Sequence, residues 1–81
     1  MDKLELFMKE SCPYCQKVMR FIDKYNLKDK IEIKDIVKDE ANKNRLVEEG
    51  GKNQVPCLFI DGKPMYESSD IIDYLKENLV D

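Results

Sequence analysis

The sequence predicts an α/β domain in which four strands form one mixed sheet flanked by three helices, in the order β-α-β-α-β-β-α. Three observations carry this prediction. Residues 3–8 and 55–60 are apolar runs of the kind that form central strands. Residues 13–26 repeat apolar side chains at helical spacing. Asp61-Gly62, between two strand-like segments, is a strong hairpin signal.

The first strand and the first helix follow from side-chain periodicity. KLELFM, residues 3–8, has apolar side chains on both faces, which indicates a strand buried on both sides. Pro13 suits the first helical position, where its missing N–H costs nothing. We expect this helix to run to Asn26 with basic side chains opposite its apolar face. The apolar face consists of Cys15, Val18, Met19, Ile22 and Tyr25.

The middle of the chain is predicted as a second strand followed by a second helix. IEIKDIV, residues 31–37, alternates along its length and indicates a strand less buried than the first. Residues 39–49 fit a weakly amphipathic helix with a solvated face, and Gly50-Gly51 would end it. Because a helix joins the first two strands, these strands should be parallel, with a right-handed crossover.

The last part of the chain is predicted as a hairpin and a third helix. After residues 55–60 and the turn, residues 63–66 return as an antiparallel strand, and Pro64 restricts that strand to an edge of the sheet. Ser68 or Ser69 is expected to cap the last helix, with Asp70 in its first turn. The apolar stripe of this helix consists of Ile71, Ile72, Leu75 and Leu79.

Length and charge exclude several classes of function. The 81 residues suffice for one small domain, which we predict to span residues 1–81. The net charge of −3 argues against a broad nucleic-acid-binding face. The sequence has no apolar run near the roughly 20 residues that a membrane span needs. The charged N-terminus does not resemble a signal peptide, so we expect a reducing cytoplasm.

The segment KESCPYCQKVM contains Cys12 and Cys15, which could form a metal site, a structural disulfide or a redox centre. A closed zinc site needs four ligands, yet the chain has no histidine and one further cysteine, so no metal is expected there. A [2Fe–2S] cluster shared between two chains stays open as an alternative. A disulfide across so small a loop would stabilise the fold little. The redox interpretation is therefore favoured.

The redox interpretation assigns different roles to the two cysteines. Cys12 lies immediately before a helix, where free N–H groups and the helix dipole stabilise a thiolate, and Lys9 adds positive charge. Cys15 follows in the first turn, about 5–6 Å away at Cβ, so a disulfide needs only a modest adjustment. We predict an exposed Cys12 nucleophile of low pKa and a more buried, resolving Cys15. Cys57, in an apolar strand, is predicted to be an inert core thiol, with a third redox thiol as the alternative.

Taken together, CPYC after a strand, QVP before a later strand and DGKPMYESSDIIDYL resemble the glutaredoxin family, from about Leu4 to Leu79. The resemblance implies a thioredoxin fold and glutathione as co-substrate. It also implies that the chain reduces mixed disulfides between proteins and glutathione, and some protein disulfides.

The resemblance further implies a set of glutathione-binding residues. Lys9 matches a family lysine that meets a glutathione carboxylate, and Tyr14 matches a tyrosine that lines the site. Val55 and Pro56 match a Val–cis-Pro pair whose valine backbone pairs with the backbone of glutathione. Gln54 stands beside them, where the family often has threonine.

The turn before the last helix resembles a different relative. YESSDII is closer to the Glu-Ser motif of glutathione transferase N-terminal domains than to the Gly-Gly-Cys-Asp-like turn of many glutaredoxins. The resemblance implies that Glu67, Ser68 and Ser69, with the helix N-terminus, hold the γ-glutamyl end of glutathione. The second, helical domain of the transferases is absent from these 81 residues, so we do not expect transferase activity.

The predicted function is therefore that of a cytoplasmic, monomeric dithiol glutaredoxin. Its expected partners are glutathione and glutathionylated or disulfide-containing proteins. Binding to nucleic acid or to a membrane is not expected. One alternative is a glutathione-independent redoxin fed by a reductase and serving, for example, ribonucleotide reductase. The other is a [2Fe–2S] carrier dimer with Cys12 and glutathione as ligands, which Pro13 makes less expected by family analogy. The absence of tryptophan argues against a plain thioredoxin.

Overall fold

The computed structural model describes residues 3–80, so residues 1, 2 and 81 of the predicted domain lie outside it. The predicted order of strands and helices is confirmed, and a 3₁₀ turn at Lys28–Lys30 precedes the second strand. None of the helices within these residues combines the length and the apolar character that a membrane span needs. The elements are β1 (Leu4–Met8), α1 (Pro13–Lys24), β2 (Glu32–Asp35), α2 (Glu40–Gly50), β3 (Cys57–Ile60), β4 (Lys63–Tyr66) and α3 (Ser68–Leu79).

The four strands form one mixed sheet in the order β2-β1-β3-β4. Strand β1 runs parallel to β2 and antiparallel to β3, and β4 returns antiparallel to β3. Pro64 lies in the edge strand β4, opposite Phe59. Asp61 and Gly62 both have positive φ, 51° and 84°, as a two-residue type I′ hairpin turn requires. The parallel β1–β2 pair and the β3–β4 hairpin are therefore as predicted, and the antiparallel β1–β3 pair joins them.

The core has two parts, one on each face of the sheet. Leu6 and Leu58 point to the face covered by α1 and α3, where most of the buried aliphatic side chains lie. Phe7 and Phe59 point to the other face, covered by α2, with their ring centroids 4.5 Å apart. The side chains alternate because successive residues of a strand point to opposite faces. The central strands are thus buried on both sides, as predicted.

Two elements end earlier than the sequence indicates. Helix α1 ends at Lys24 instead of reaching Asn26, because Asn26 adopts a left-handed conformation with φ 56°. Strand β2 ends at Asp35, whose carboxylate accepts hydrogen bonds from the N–H groups of Val37 (2.8 Å) and Lys38 (3.0 Å). These local bonds turn the chain away from the sheet.

The predicted cap of the last helix is wrong. Helix α3 begins at Ser68, so Ser68 and Ser69 lie in its first turn and Glu67 occupies the N-cap position. Glu67 has φ 71°, and its carbonyl accepts the N–H of Ile71 at 3.1 Å, but no side chain caps the helix. Asp70 lies in the first turn as predicted. The first N–H groups of α3 are therefore left without a side-chain acceptor.

Candidate active site

Cys12 lies where the chain leaves β1 and enters α1. It is the N-cap residue of that helix, with extended backbone angles of φ −93° and ψ 116°. Its N–H donates to the carbonyl of Lys9 at 3.2 Å, which closes a turn over residues 9–12. Its sulfur accepts the N–H of Cys15 at 3.4 Å. The end of the helix thus directs a backbone dipole at the Cys12 sulfur.

The expectation that Cys12 is exposed is wrong. Its exposed fraction is 8%, and that of Cys15 is 0%. The segment preceding β3 covers the thiol, which donates to the carbonyl of Val55 at 3.8 Å. Cys12 nevertheless lines a groove on the surface, whereas Cys15 is fully enclosed. The predicted order of accessibility of the two cysteines is therefore correct, although the exposed part of Cys12 is small.

The surroundings of the two sulfurs separate their pKa values. Burial has the largest effect on the pKa of the Cys12 thiol and raises it. Hydrogen bonds from Cys15 and from the N–H of Tyr14, with the charge of Lys9, outweigh burial and hold this pKa below its ordinary value. Burial raises the pKa of Cys15 to about 12. Of the two thiols, Cys12 is therefore the one that ionises more readily.

Cys57 is buried in the core, as predicted. Its exposed fraction is 0%, and burial raises the pKa of its thiol to about 11. It lies in β3 on the face that α2 covers, beside Phe7 and Phe59. A protonated, enclosed thiol reacts slowly, so these surroundings favour the inert role.

We expect one cysteine alone to be alkylated in the folded protein. Iodoacetamide at neutral pH should modify Cys12, because Cys15 and Cys57 are enclosed and have raised pKa values. The rate should reach half its maximum at a lower pH than in the denatured protein, because the folded surroundings lower the pKa of Cys12. Peptide mapping by mass spectrometry identifies the modified residue, and the denatured protein, in which all three cysteines react, is the control. Modification of Cys57 in the folded chain would contradict this expectation.

The groove beside Cys12 has two lobes that share Gln54 and Val55. The large lobe has a volume of about 670 Å³ and the small lobe about 280 Å³. The other residues of the large lobe are Lys9, Cys12, Ile36, Val37, Glu40, Lys43 and Asn53. The other residues of the small lobe are Tyr14, Pro56, Glu67 and Ser68.

The structure brings nearly all the predicted binding residues to this groove. Lys9 lines the large lobe, and Tyr14, which is 66% exposed, lines the small one. The Val55–Pro56 peptide bond is cis, as the resemblance implies. Ser69 lies in the first turn of α3 but lines neither lobe. The remaining predicted residues, Gln54, Glu67 and Ser68, line one lobe or both.

Sequence reasoning missed the contribution of α2 and of the loop before it. Val37, Glu40 and Lys43 line the large lobe, although residues 39–49 were expected to be a solvated helix face. The strand order gives the signal that could have found them. Strands β1 and β2 are adjacent and parallel, so the segments that follow them emerge at the same edge of the sheet. Residues after β2 therefore lie next to Cys12, which follows β1.

A scan against protein-family models matches residues 4–65 to the family described as Glutaredoxin. A curated relative, Glutaredoxin 1 of Rickettsia prowazekii (strain Madrid E), is 32% identical over 77 residues, which are 94% of this chain and 80% of the relative. The crystal structure of the thioredoxin-like protein BC3987 has a TM-score of 0.74 at 29% identity, covering 93% of this chain and 97% of that one. These likenesses confirm the predicted thioredoxin fold.

Glutathione transferases are also among the structural neighbours. A family member from Pseudomonas fluorescens Pf-5, solved with bound glutathione, has a TM-score of 0.73 at 26% identity. The likeness covers 93% of this chain and 38% of that transferase. The similarity is thus to a part of the transferase about the size of this chain.

Proposed function

This chain belongs to the glutaredoxin family of thiol-disulfide oxidoreductases, and from that premise we propose that it uses glutathione to reduce protein–glutathione mixed disulfides and protein disulfides. The observation that carries the proposal is the position of the Cys12 thiol, whose pKa is lowered, in the groove. On one side of the groove lies the large lobe with Lys9 and Lys43, and on the other side lies the start of α3, which has no side-chain cap. We propose a reducing cytoplasm as its compartment, where the glutathione pool would supply the electrons.

The two lobes suit the two ends of glutathione, each of which carries a carboxylate. In the large lobe, Lys9 and Lys43 supply ammonium groups that form no ion pair within residues 3–80. These cations would attract the glycyl carboxylate. At the small lobe, α3 begins without a side-chain cap, so its N–H groups at Ser68 would donate hydrogen bonds to the γ-glutamyl carboxylate. The Glu67 carboxylate in the same lobe would attract the γ-glutamyl ammonium.

The middle of the groove supports a backbone contact with the tripeptide. Val55 lines both lobes, and the sheet pairing of β3 begins only at Cys57, two residues later. The N–H of Val55 lies outside the ladder, and a substrate peptide could pair with it. Such pairing would place the cysteine of glutathione above Cys12, whose thiol touches the Val55 carbonyl.

The proposed reaction begins with attack of the Cys12 thiolate on the glutathione sulfur of a glutathionylated protein. A Cys12–glutathione disulfide forms, the protein–glutathione disulfide breaks, and the protein leaves as its thiolate. A second glutathione then attacks this disulfide, releases oxidised glutathione and restores Cys12. In the alternative branch, Cys15 attacks Cys12, releases glutathione and forms the Cys12–Cys15 disulfide. Two glutathione molecules then reduce that disulfide and become one oxidised glutathione.

A Cys15→Ser variant tests this proposal because it separates the two branches. Turnover of a glutathionylated peptide should stay within a few-fold of wild type, since glutathione itself resolves the intermediate. Reduction of a protein disulfide should fall to background, because it requires the second thiol. Both assays measure NADPH consumption coupled through glutathione reductase, with Cys57→Ser as the matched cysteine-to-serine control.

Two results would contradict the proposal in different ways. Loss of both activities in Cys15→Ser would show that the route through Cys12 alone is wrong. Turnover by the wild type with thioredoxin reductase but not with glutathione would instead favour the glutathione-independent redoxin.

A further inference from the structure

Tyr66, the last residue of β4, joins two segments that form opposite walls of the groove. Its hydroxyl donates to the carbonyl of Gly50 at 2.8 Å and lies 3.4 Å from the carbonyl of Lys52. The ammonium of Lys52 lies 4.4 Å from the centroid of the Tyr66 ring, within the range of a cation–π contact. These contacts attach the end of α2 and the following loop to β4.

The loop between α2 and β3 forms few other hydrogen bonds, although Val55 packs against both parts of the core. Within residues 3–80, the hydrogen bonds to residues 52–55 come from two side chains, the Tyr66 hydroxyl and the Cys12 thiol. Asn53, Gln54 and Val55 on this loop line the large lobe, and the last two also line the small lobe. The position of this wall therefore depends strongly on the contacts at its two ends.

The absence of a side chain at Gly50 leaves the space that the Tyr66 hydroxyl occupies. A Cβ atom at residue 50 would lie 2.7 Å from the hydroxyl oxygen, closer than such atoms approach each other, so glycine is what lets the hydroxyl reach this carbonyl. Tyr66 is also the cross-strand partner of Cys57, the residue after Pro56. Tyr66 thus contacts the chain before the segment that pairs with substrate in the proposed function, through its hydroxyl, and after that segment, through strand pairing.

We propose that Tyr66 is a positioning residue that sets the separation of the two groove walls and thereby the affinity for the glutathionyl group. Tyr66 directly precedes Glu67 and Ser68, which line the small lobe, while its hydroxyl holds the loop that carries Gln54 and Val55. The Tyr66 side chain therefore holds the α2–β3 loop, which is one wall of the groove, at a fixed distance from the start of α3, which is the other. The inference about affinity rests on the proposed use of glutathione.

The test is Tyr66→Phe, which keeps the ring and removes the hydroxyl. Loss of one neutral hydrogen bond should raise KM for a glutathionylated peptide roughly 2- to 10-fold. The value of kcat and the pH profile of Cys12 alkylation should not change, because the groups that lower the pKa of Cys12 lie on α1 and at Lys9. The backbone N–H order parameters of Lys52, Asn53 and Gln54, measured by NMR relaxation, should fall. Tyr25→Phe, at the exposed end of α1, is the matched control.

A second variant checks the same contact from the other side. Gly50→Ala should displace the hydroxyl and raise KM as Tyr66→Phe does, and the double variant should show less than the sum of the two effects. Unchanged order parameters at residues 52–54 in Tyr66→Phe would overturn the inference, and so would lower order parameters with an unchanged KM. Failure of the wild type to turn over the glutathionylated peptide would overturn the proposed function, and the order parameters would still decide whether Tyr66 holds the loop.

Discussion

Replacing Cys12 with serine should reduce turnover of a glutathionylated peptide by at least about 1000-fold, to the background of the assay. The thiolate forms the only covalent bond between this chain and the substrate in the proposed reaction. Serine occupies nearly the same volume and can still cap α1, so the fold should survive. The serine hydroxyl, however, stays protonated at a pH at which the Cys12 thiol, with its lowered pKa, ionises.

The control for this variant is Cys57→Ala, which removes a thiol that the mechanism does not use. The Cys57→Ala protein should lose some stability, because it leaves a small cavity beside Phe7 and Phe59, and should keep its turnover. Both variants are assayed with glutathione, glutathione reductase and a glutathionylated peptide, after circular dichroism has shown that they are folded. Appreciable turnover by Cys12→Ser would mean that another group is the nucleophile.

The sequence predicted those parts of the fold that depend on neighbouring residues. The period of the apolar side chains located each strand and helix, and Asp61-Gly62 adopted the turn that its two positive φ angles allow. The positions of Cys12 and Cys15 were also predicted from local sequence, since one precedes the helix and the other lies in its first turn. The mixed-sheet topology followed from the order of these elements.

The features that sequence reasoning missed depend on contacts between distant segments. Ser68 was expected to cap α3, but Glu67 takes that place with a positive φ, which propensity alone disfavours for a glutamate. The exposure of Cys12 was overestimated because Val55, 43 residues later, covers its sulfur. Lys43 joins the groove only because β2 lies beside β1. None of these contacts can be predicted from a pattern among neighbouring residues of the sequence.

Glu5 is a further such feature, a buried carboxylate in the central strand β1. Its exposed fraction is 2%, and its carboxylate oxygens accept hydrogen bonds from both terminal nitrogens of Arg45 on α2, one of them at 2.8 Å from Nη2. The guanidinium carbon of Arg45 also lies 5.6 Å and 5.4 Å from the ring centroids of Phe7 and Phe59. The pair therefore attaches α2 to the sheet.

Replacing Arg45 with methionine should lower the free energy of unfolding at pH 7 by about 3–5 kcal/mol, because it leaves the buried Glu5 charge without a partner. Methionine keeps much of the apolar contact with the phenylalanine rings, so the loss should come mainly from the charge. Chemical denaturation followed by circular dichroism measures it. Arg20→Met, at an exposed position on α1, is the matched control and should change stability by no more than about 0.5 kcal/mol.

The dependence of this effect on pH distinguishes the charge from packing. Hydrogen bonding by Arg45 holds the folded-state pKa of Glu5 below its ordinary value, although burial opposes this. In the wild type, the stabilisation from this pair is therefore fully present above the unfolded-state pKa of about 4.3 and is lost as the pH falls through the lower folded-state value. In Arg45→Met, burial without a partner raises the pKa of Glu5, so that variant gains stability relative to the wild type on acidification. The difference between the two proteins should shrink from pH 7 towards pH 4, and a difference that is constant over this range would mean that Arg45 stabilises the fold through packing alone.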